Sequence, residues 1–343
     1  MKNKYMLLAD GSSPHVLKWI KELVRYFEVY LVTLNGLADE VYEYIEKEHI
    51  YILNEKVNTI GGNYKLIFKL PKIRKIIKEL EPQYINAHYL SSYGFLGALS
   101  KSVLPKVKLI QSTWGSDILI EPFLNPIRRK IAKFALKKAD YITSDSWNMA
   151  DVIEQIVERK EIIVFPFGFS KIDISRGNKE KIIFSNRALK PLYNIDRLLE
   201  WFSKQESIFR LVVANEGVEK NSLVSLAQKL DISNRVDFVG YLSGEDQKRY
   251  YEKSTYYISI PDSDATSVSL LEAMQYGTIP IVSNIVANRE WILDGVNGVF
   301  FDKNKNLDEI KVEDDFAKIN HNILKDRALF PRSIKCFITK VTE

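Results

Sequence analysis

The sequence predicts an α/β protein built as two doubly wound domains, each a parallel sheet covered by helices, facing one another across a cleft. Three observations carry this. A chain of 343 residues exceeds what one ordinary core organises. Short β-branched runs alternate with amphipathic helical patterns along nearly the whole length. One polar, glycine-containing stretch near the middle interrupts the rhythm, which then restarts.

In the first half, Tyr5–Ala9, Val29–Thr33, Tyr84–Ala87, Lys108–Gln111, Tyr141–Thr143 and Ile162–Phe165 read as buried strands. Helical patterns such as Val16–Tyr26, Gly94–Ser102 and Asn148–Val157 fall between them, as crossovers of a parallel sheet require. Phe165-Pro-Phe-Gly168 ends the series, and Ser170–Glu180 reads as a linker. The alternation resumes with Ile182–Ser185, Phe209–Ala214, Val236–Val239, Tyr256–Ile260 and Thr278–Val282. Lys311–Lys340 has a helical pattern broken at Pro331. The expected domains are 1–170 and 178–324. In open parallel sheets ligands bind beyond the carboxyl ends of the strands, so the loops that follow strands are where chemistry belongs.

Composition excludes several classes. An apolar fraction of 46% with 27% charged residues is that of a globular chain. The single cysteine, Cys336, rules out a disulfide framework or a zinc site on paired thiolates, and no metal or cofactor is expected. The first strand pattern starts almost at Met1, leaving no room for a signal peptide, and no apolar run is long enough to span a bilayer. These predict a cytoplasmic protein. The net charge of +5 is uneven: residues 1–160 hold 24 Lys and Arg against 18 Asp and Glu. The excess lies in two amphipathic stretches, 65–78 and 127–138, where basic residues alternate with Ile, Leu and Phe. Such helices suit an anionic membrane surface as a peripheral partner, or equally an ordinary lysine-rich solvated face. No nucleic-acid motif accompanies the charge.

The most informative segment is Pro261-Asp-Ser-Asp-Ala-Thr-Ser-Val-Ser-Leu-Leu-Glu-Ala-Met-Gln-Tyr-Gly-Thr-Ile-Pro-Ile-Val282. A strand ends at Ile260, a helix opens near Ser267, and Gly277 closes it. Ser267, Val268 and Ser269 then present backbone N–H groups at a helix N-terminus, a ready site for a diphosphate. From spacing alone, Asp264 and Glu272 are as well explained by a cap and a solvated helical carboxylate.

An acid, seven residues, Glu-Ala-Met and then Gly-x-x-Pro-Ile-Val resembles the donor-binding signature of the retaining GT-B glycosyltransferases of family 4, the glycosyl transferases group 1. Asn288-Arg-Glu-Trp-Ile-Leu-Asp-Gly-Val-Asn-Gly-Val299 is similar to the next segment of that family. One departure is that the first acid, usually Glu, is Asp264 here. The resemblance implies two Rossmann-like domains, with a final helix, within 325–343, crossing back onto the first. It implies a nucleotide-diphosphate sugar as donor, UDP favoured over GDP, with Glu272 on the ribose and Asp264 on the sugar. Arg187, in Phe184-Ser-Asn-Arg-Ala-Leu-Lys190, matches the family arginine that neutralises the leaving diphosphate, and Lys190 is a candidate for its lysine partner. Gly217, Gly240 and Tyr241 resemble loops that hold the base, although turn glycines explain the first two as well.

The resemblance makes the first domain the acceptor domain, taking a glycan or lipid-linked acceptor. Gly11 and Ser12, in Asp10-Gly-Ser-Ser-Pro-His15, fall in the family's glycine loop facing the donor phosphates. His88 resembles the histidine of the acceptor loop, Asp117 the acid of a Trp-Gly-x-Asp loop, and His15 an acceptor contact at a helix start. The family's retention implies attack from the face of the leaving group, with a diphosphate oxygen taking the acceptor proton and no metal required. Two other readings stand beside this one: a nucleotide-sugar epimerase on the same plan, and a non-catalytic two-domain ligand-binding protein.

Overall fold

The computed structural model describes residues 2–55, 63–158, 161–173, 177–206 and 208–343. It divides into two compact units, Met1–Phe167 with Phe330–Glu343, and Gly168–Leu329.

The first unit runs β1 (Lys4–Leu8), α1 (Pro14–Leu23), β2 (Glu28–Thr33), β3 (Ile50–Ile52), α2 (Leu70–Leu80), β4 (Tyr84–His88), α3 (Phe95–Ser100) and β5 (Lys108–Ser112). Then come α4 (Ser116–Leu119), α5 (Glu121–Leu124), α6 (Pro126–Lys138), β6 (Tyr141–Ser144), α7 (Trp147–Ile156) and β7 (Ile162–Val164). All pairings are parallel in the order β3-β2-β1-β4-β5-β6-β7. The order reverses between β1 and β4, which makes their carboxyl ends the switch point where such sheets bind ligands. A short π-helical turn, Tyr89–Gly94, follows β4 directly.

The second unit runs β8 (Glu180–Ser185), α8 (Ile195–Phe202), β9 (Arg210–Ala214), α9 (Lys220–Lys229), β10 (Val236–Gly240), α10 (Gly244–Lys253), β11 (Ser254–Ser259), α11 (Val268–Gln275), β12 (Ile279–Val282), α12 (Val286–Arg289), β13 (Val299–Phe300) and α13 (Phe316–Arg327). Its sheet is also parallel, ordered β10-β9-β8-β11-β12-β13, with its switch point between β8 and β11. The last helix, α14 (Phe330–Thr342), returns to the first unit. There Phe330 and Phe337 pack edge-on against Trp19 of α1, at 5.9 and 5.3 Å between ring centres.

Local chemistry explains the helix starts. Ser13, Asn125, Ser146, Ser243 and Ser267 cap α1, α6, α7, α10 and α11 through side-chain oxygens that accept first-turn N–H groups. Pro14 and Pro126 open α1 and α6, where a missing N–H costs nothing. The chain changes units between Leu329 and Phe330, just ahead of Pro331; Ala328 and Leu329 are still held by the second unit, since Phe169 bridges to Leu329 and a Cβ on Gly168 would lie 2.0 Å from the Ala328 carbonyl oxygen. Residues 325–329 therefore stay with the second unit, where α13 buries Leu324 and His321 Nε2 lies 2.6 Å from the Gln275 carbonyl. The expected linker also begins inside this unit, since the Asp173 N–H donates to Gln275 Oε1; its residues 174–176 lie outside the described residues.

The stretch 65–78 is a 3₁₀ turn, Asn63–Lys69, followed by α2, whose Ile73, Ile76, Ile77 and Leu80 are buried. The isoleucines that gave it an amphipathic pattern are thus core residues, and Ile67 and Phe68 are its exposed apolar side chains. Among the described residues no helix is long and apolar enough to cross a membrane.

Candidate functional site

At the switch point of the second unit, the loops after β8 and β11 bring together residues far apart in sequence. Arg187 leaves β8 and reaches the start of α11. Its Nη1 donates to Ser267 Oγ at 2.7 Å and Ser269 Oγ at 2.9 Å, and its Nη2 to Asp264 Oδ2 at 2.8 Å. The guanidinium carbon sits 4.3 Å from the centre of the Tyr193 ring, a cation–π contact. Burial disfavours the charge, but Asp264, and then Tyr257 and Tyr193, more than offset it and hold the guanidinium above its ordinary value. Arg187 and Asp264 side chains are only 11% and 18% exposed, so this pair is largely desolvated. A buried pair survives only with close geometry and further hydrogen bonds, which the two serines supply. The expectation placed Asp264 on sugar hydroxyls; here its carboxylate is on Arg187.

Ser267 caps α11, its Oγ accepting the Leu270 N–H at 3.4 Å. In the helix's first turn, the N–H groups of Val268 and Ser269 have no i−4 partner in their own helix, as at any helix start. The Tyr257 hydroxyl on β11 donates to Ser269 Oγ at 2.8 Å. One turn further on, Glu272 Oε2 accepts from Gln247 Nε2 at 2.8 Å and lies 3.0 Å from the Tyr251 hydroxyl. Tyr251 in turn accepts from Asn186 Nδ2 at 2.9 Å. A cationic fork, a capped helix start and an anchored carboxylate thus share one strand end, an arrangement that can bind a phosphate-bearing group and a polyol side by side.

Around this cluster the two glycines differ. A Cβ on Gly217 would lie 2.1 Å from the Leu189 carbonyl oxygen, so this glycine lets the 215–219 loop close onto the loop carrying Arg187. That closure is fixed by Leu189 N–H to the Glu216 carbonyl and Glu219 N–H to the Leu189 carbonyl, each 3.1 Å. Gly240 sits at φ +73°, a conformation that a side chain would strain. Tyr241 is 79% exposed, and Lys190 is exposed at the edge of the Arg187 loop. The Asn288–Val299 segment is internal stitching. Asn288 Nδ2 donates to the Ser283 carbonyl, Asn297 Nδ2 to the Trp291 carbonyl and Asn320 Oδ1, and Asp294 Oδ1 accepts the Phe300 N–H.

At the switch point of the first unit the chemistry is different. The Gly11 N–H donates to Thr33 Oγ1 and its carbonyl accepts from the Ala38 N–H, so both groups are committed to the fold rather than offered to a phosphate. Ser12 likewise gives its N–H and hydroxyl to Asp10 Oδ1. His88, at the end of β4, is fully buried, and among the described residues neither ring nitrogen has a hydrogen-bond partner. Its ring lies 5.1 Å from Trp19 and 5.4 Å from Trp114. His15 stacks on Phe167 at 5.1 Å and meets Trp114 edge-on at 5.5 Å. Burial, then repulsion by Lys18, pushes His15 down to about 4; burial, then His15, pushes His88 down to about 3. Both are neutral imidazoles at pH 7.

Asp117 is held by the backbone of two loops. It is buried: Oδ2 accepts the Leu90 N–H at 2.8 Å, while Oδ1 accepts those of Trp114 and Gly115 at 3.0 and 2.9 Å. Burial pushes it up to about 6 against the pull of those three bonds. It ties the loops after β4 and β5 together. Sequence reasoning missed Tyr193, Gln247, Tyr251, Tyr257 and Asn186. Asn186 and Tyr193 lie between β8 and α8, Gln247 and Tyr251 on α10 and Tyr257 on β11, and no local sequence signal marks any of them.

Two doubly wound parallel units, one with an arginine-clamped helix start at its switch point, make a fold of the GT-B type. Residues 4–146 match the Glycosyl transferase 4-like family and residues 169–321 the Glycosyl transferases group 1 family. The chain is 33% identical over 305 residues to an uncharacterised glycosyltransferase of Methanocaldococcus jannaschii, covering 84% of this chain and 69% of that one. It is 20% identical over 286 residues to the N-acetylgalactosamine-N,N'-diacetylbacillosaminyl-diphospho-undecaprenol 4-alpha-N-acetylgalactosaminyltransferase of Campylobacter jejuni, covering 79% and 76%. In fold it is similar to Anabaena HepE in complex with UDP and glucose, with a TM-score of 0.70 at 16% identity over 96% of this chain and 93% of that one. The chain belongs to the group 1 glycosyltransferases. Of the three readings left open by the sequence, family membership supports the transferase.

Proposed function

We propose that this enzyme transfers a sugar from a UDP-sugar to a glycan or lipid-linked acceptor, with retention of configuration and without a metal. The observation that carries the reading is Arg187 held between Ser267 Oγ, Ser269 Oγ and Asp264 at the start of α11. As the sugar's C1 parts from the diphosphate, negative charge grows on the departing oxygen. A preorganised guanidinium and a helix N-terminus stabilise that charge more in the transition state than in the ground state. The diphosphate competes with Asp264 for Arg187, and the released carboxylate is then free to accept from a sugar hydroxyl. Glu272, anchored by Gln247 and Tyr251, accepts from the ribose. The acceptor oxygen bonds to C1 on the face the diphosphate leaves, and its proton passes to the diphosphate oxygen. UDP in the HepE complex and the diphospho-undecaprenol in the Campylobacter enzyme's name support the donor and acceptor classes.

A donor panel read by thermal shift tests the nucleotide. UDP at about a hundred times its Kd should add about 2.7 kcal/mol to the stability of the second unit. An equal or larger shift with GDP would reverse the choice of base, and no shift with either would remove the donor assignment. Transfer should proceed at its full rate in excess EDTA; loss restored by Mg²⁺ or Mn²⁺ would place the cationic role on a metal.

A further inference from the structure

The hydrogen-bond partners of Arg187 are of two kinds. Ser267 and Ser269 are neutral, and a hydroxyl that accepts from the guanidinium can also turn its hydrogen towards a phosphate. Asp264 is an anion that can only accept. The Tyr193 ring, 4.3 Å from the guanidinium carbon, covers one face of the fork, and Asp264 sits at its edge. A phosphate drawn to this guanidinium therefore meets a carboxylate that holds the same cation. Both side chains of the pair are largely shielded from water, so the two anions repel strongly. The loop that carries Asp264 is pinned on both sides of it. The Asp262 N–H donates to the Leu192 carbonyl at 3.0 Å, Asp262 Oδ1 accepts from Asn194 Nδ2 at 2.8 Å, and Ser267 caps α11. Between these pins, Asp264 Oδ1 accepts from the adjacent Ala265 N–H at 3.0 Å. Rotation about its own side-chain bonds thus takes the carboxylate off Arg187 and returns it with both pins in place.

We propose that Asp264 is an internal counter-anion that trades places with the diphosphate on Arg187 and so drives UDP out after transfer. The inference rests on the UDP-sugar reading and deepens it from binding to product release. A UDP-sugar compensates the displaced carboxylate with hydroxyls of the sugar to be transferred. UDP has lost that sugar, and its terminal phosphate has one more ionisable oxygen than the sugar-linked phosphate of the donor. Asp264 therefore opposes the product more than the substrate, and its return to Arg187 leaves no buried cation unpaired when UDP departs.

Titration calorimetry on the full chain with UDP, inorganic pyrophosphate and uridine tests this. Asp264→Asn keeps the shape of the side chain and removes its charge. It should bind UDP and pyrophosphate about tenfold more tightly than the native chain and leave uridine binding unchanged. UDP dissociation, followed by stopped-flow displacement, should slow by a similar factor. Asp264→Ser, a second neutral variant, should follow Asp264→Asn. Asp264→Glu keeps an anion in reach of Arg187 and should return UDP affinity to within about threefold of the native value. A carboxylate that served only the transferred sugar would leave UDP affinity unchanged in the neutral variants. That result, or weakened UDP binding, would overturn the proposal. So would equal tightening of uridine, which has no anion to repel, or failure of both neutral variants to fold, which would make Asp264 a structural brace. UDP bound by no form of the protein removes the donor reading itself. UDP bound equally by native and neutral forms removes the exchange alone.

Discussion

The two switch points occupy equivalent places in two sheets of the same strand order, yet they hold opposite chemistry. Beyond β8 and β11 the polar groups are densely cross-linked: Arg187, Asp264, Ser267, Ser269, Tyr257, Tyr251 and Glu272 form a continuous chain of hydrogen bonds. Beyond β1 and β4, His88 sits among Trp19 and Trp114 with neither nitrogen hydrogen-bonded among the described residues, and Asp117 is absorbed by backbone. Topology fixes where a ligand can sit, and side chains alone decide its charge. One end holds a guanidinium at a helix start, and the other holds neutral imidazoles against aromatic walls.

The sharpest way to break this contrast is to remove its charged member. Arg187→Ala should lower kcat/KM by about 10²–10³-fold while changing UDP affinity by less than about tenfold, since the charge it meets grows mainly during reaction. Arg187→Lys keeps the charge next to Asp264 but loses the fork that grips both serines, so it should restore only part of the rate. Equal small losses in rate and affinity would reduce Arg187 to a structural ion pair. Next in size, Glu272→Gln should weaken UDP binding about tenfold with little change in turnover at saturation, as loss of a hydrogen bond to a charged group predicts. UDP binding unchanged by titration calorimetry would separate Glu272 from the ribose.

The histidines sharpen the comparison from the other side. An imidazole depressed to about 4 or about 3 when folded binds its proton near 6.5 when unfolded, so between these values the unfolded chain holds more protons. Each such histidine makes stability rise with pH. Asp117, raised to about 6, does the reverse between its ordinary value and about 6. Two histidines against one carboxyl leave a net slope of about 1.4 kcal/mol per pH unit between pH 4.5 and 6 in the first unit. His88→Phe should flatten that slope, measured by hydrogen exchange of peptides covering β4, and leave peptides of β8 and β11 unaffected. An unchanged slope would mean that His88 is not the buried neutral base described.

Much of the contrast was legible in the sequence, and the reasons for the rest are physical. The alternation of β-branched runs and amphipathic helices gave both sheets, but missed β3 and β13. These edge strands have three and two residues, too short to show a period. The start of α11 was readable because Ser267 and Gly277 are local signals. The Arg187–Asp264 pair spans 77 residues and was not, since only the adjacency of β8 and β11 creates it. The backbone partners of Asp117 were not legible either, because a residue type cannot reveal that a carboxylate faces three backbone N–H groups. The isoleucines of 73–77 looked like a membrane face for a similar reason: an amphipathic helix has the same pattern whether its apolar side meets lipid or its own sheet.

The return of α14 to the first unit has a consequence for how the chain is made. Trp19 gains Phe330 and Phe337 as ring neighbours only from a segment that follows the whole of Gly168–Leu329. A ribosome therefore exposes β1 to β7 long before the helix that seals one side of α1 exists. The second unit, whose described residues form one continuous stretch of sequence, can close first, although it is made later. Vectorial synthesis and the order of folding run in opposite directions here.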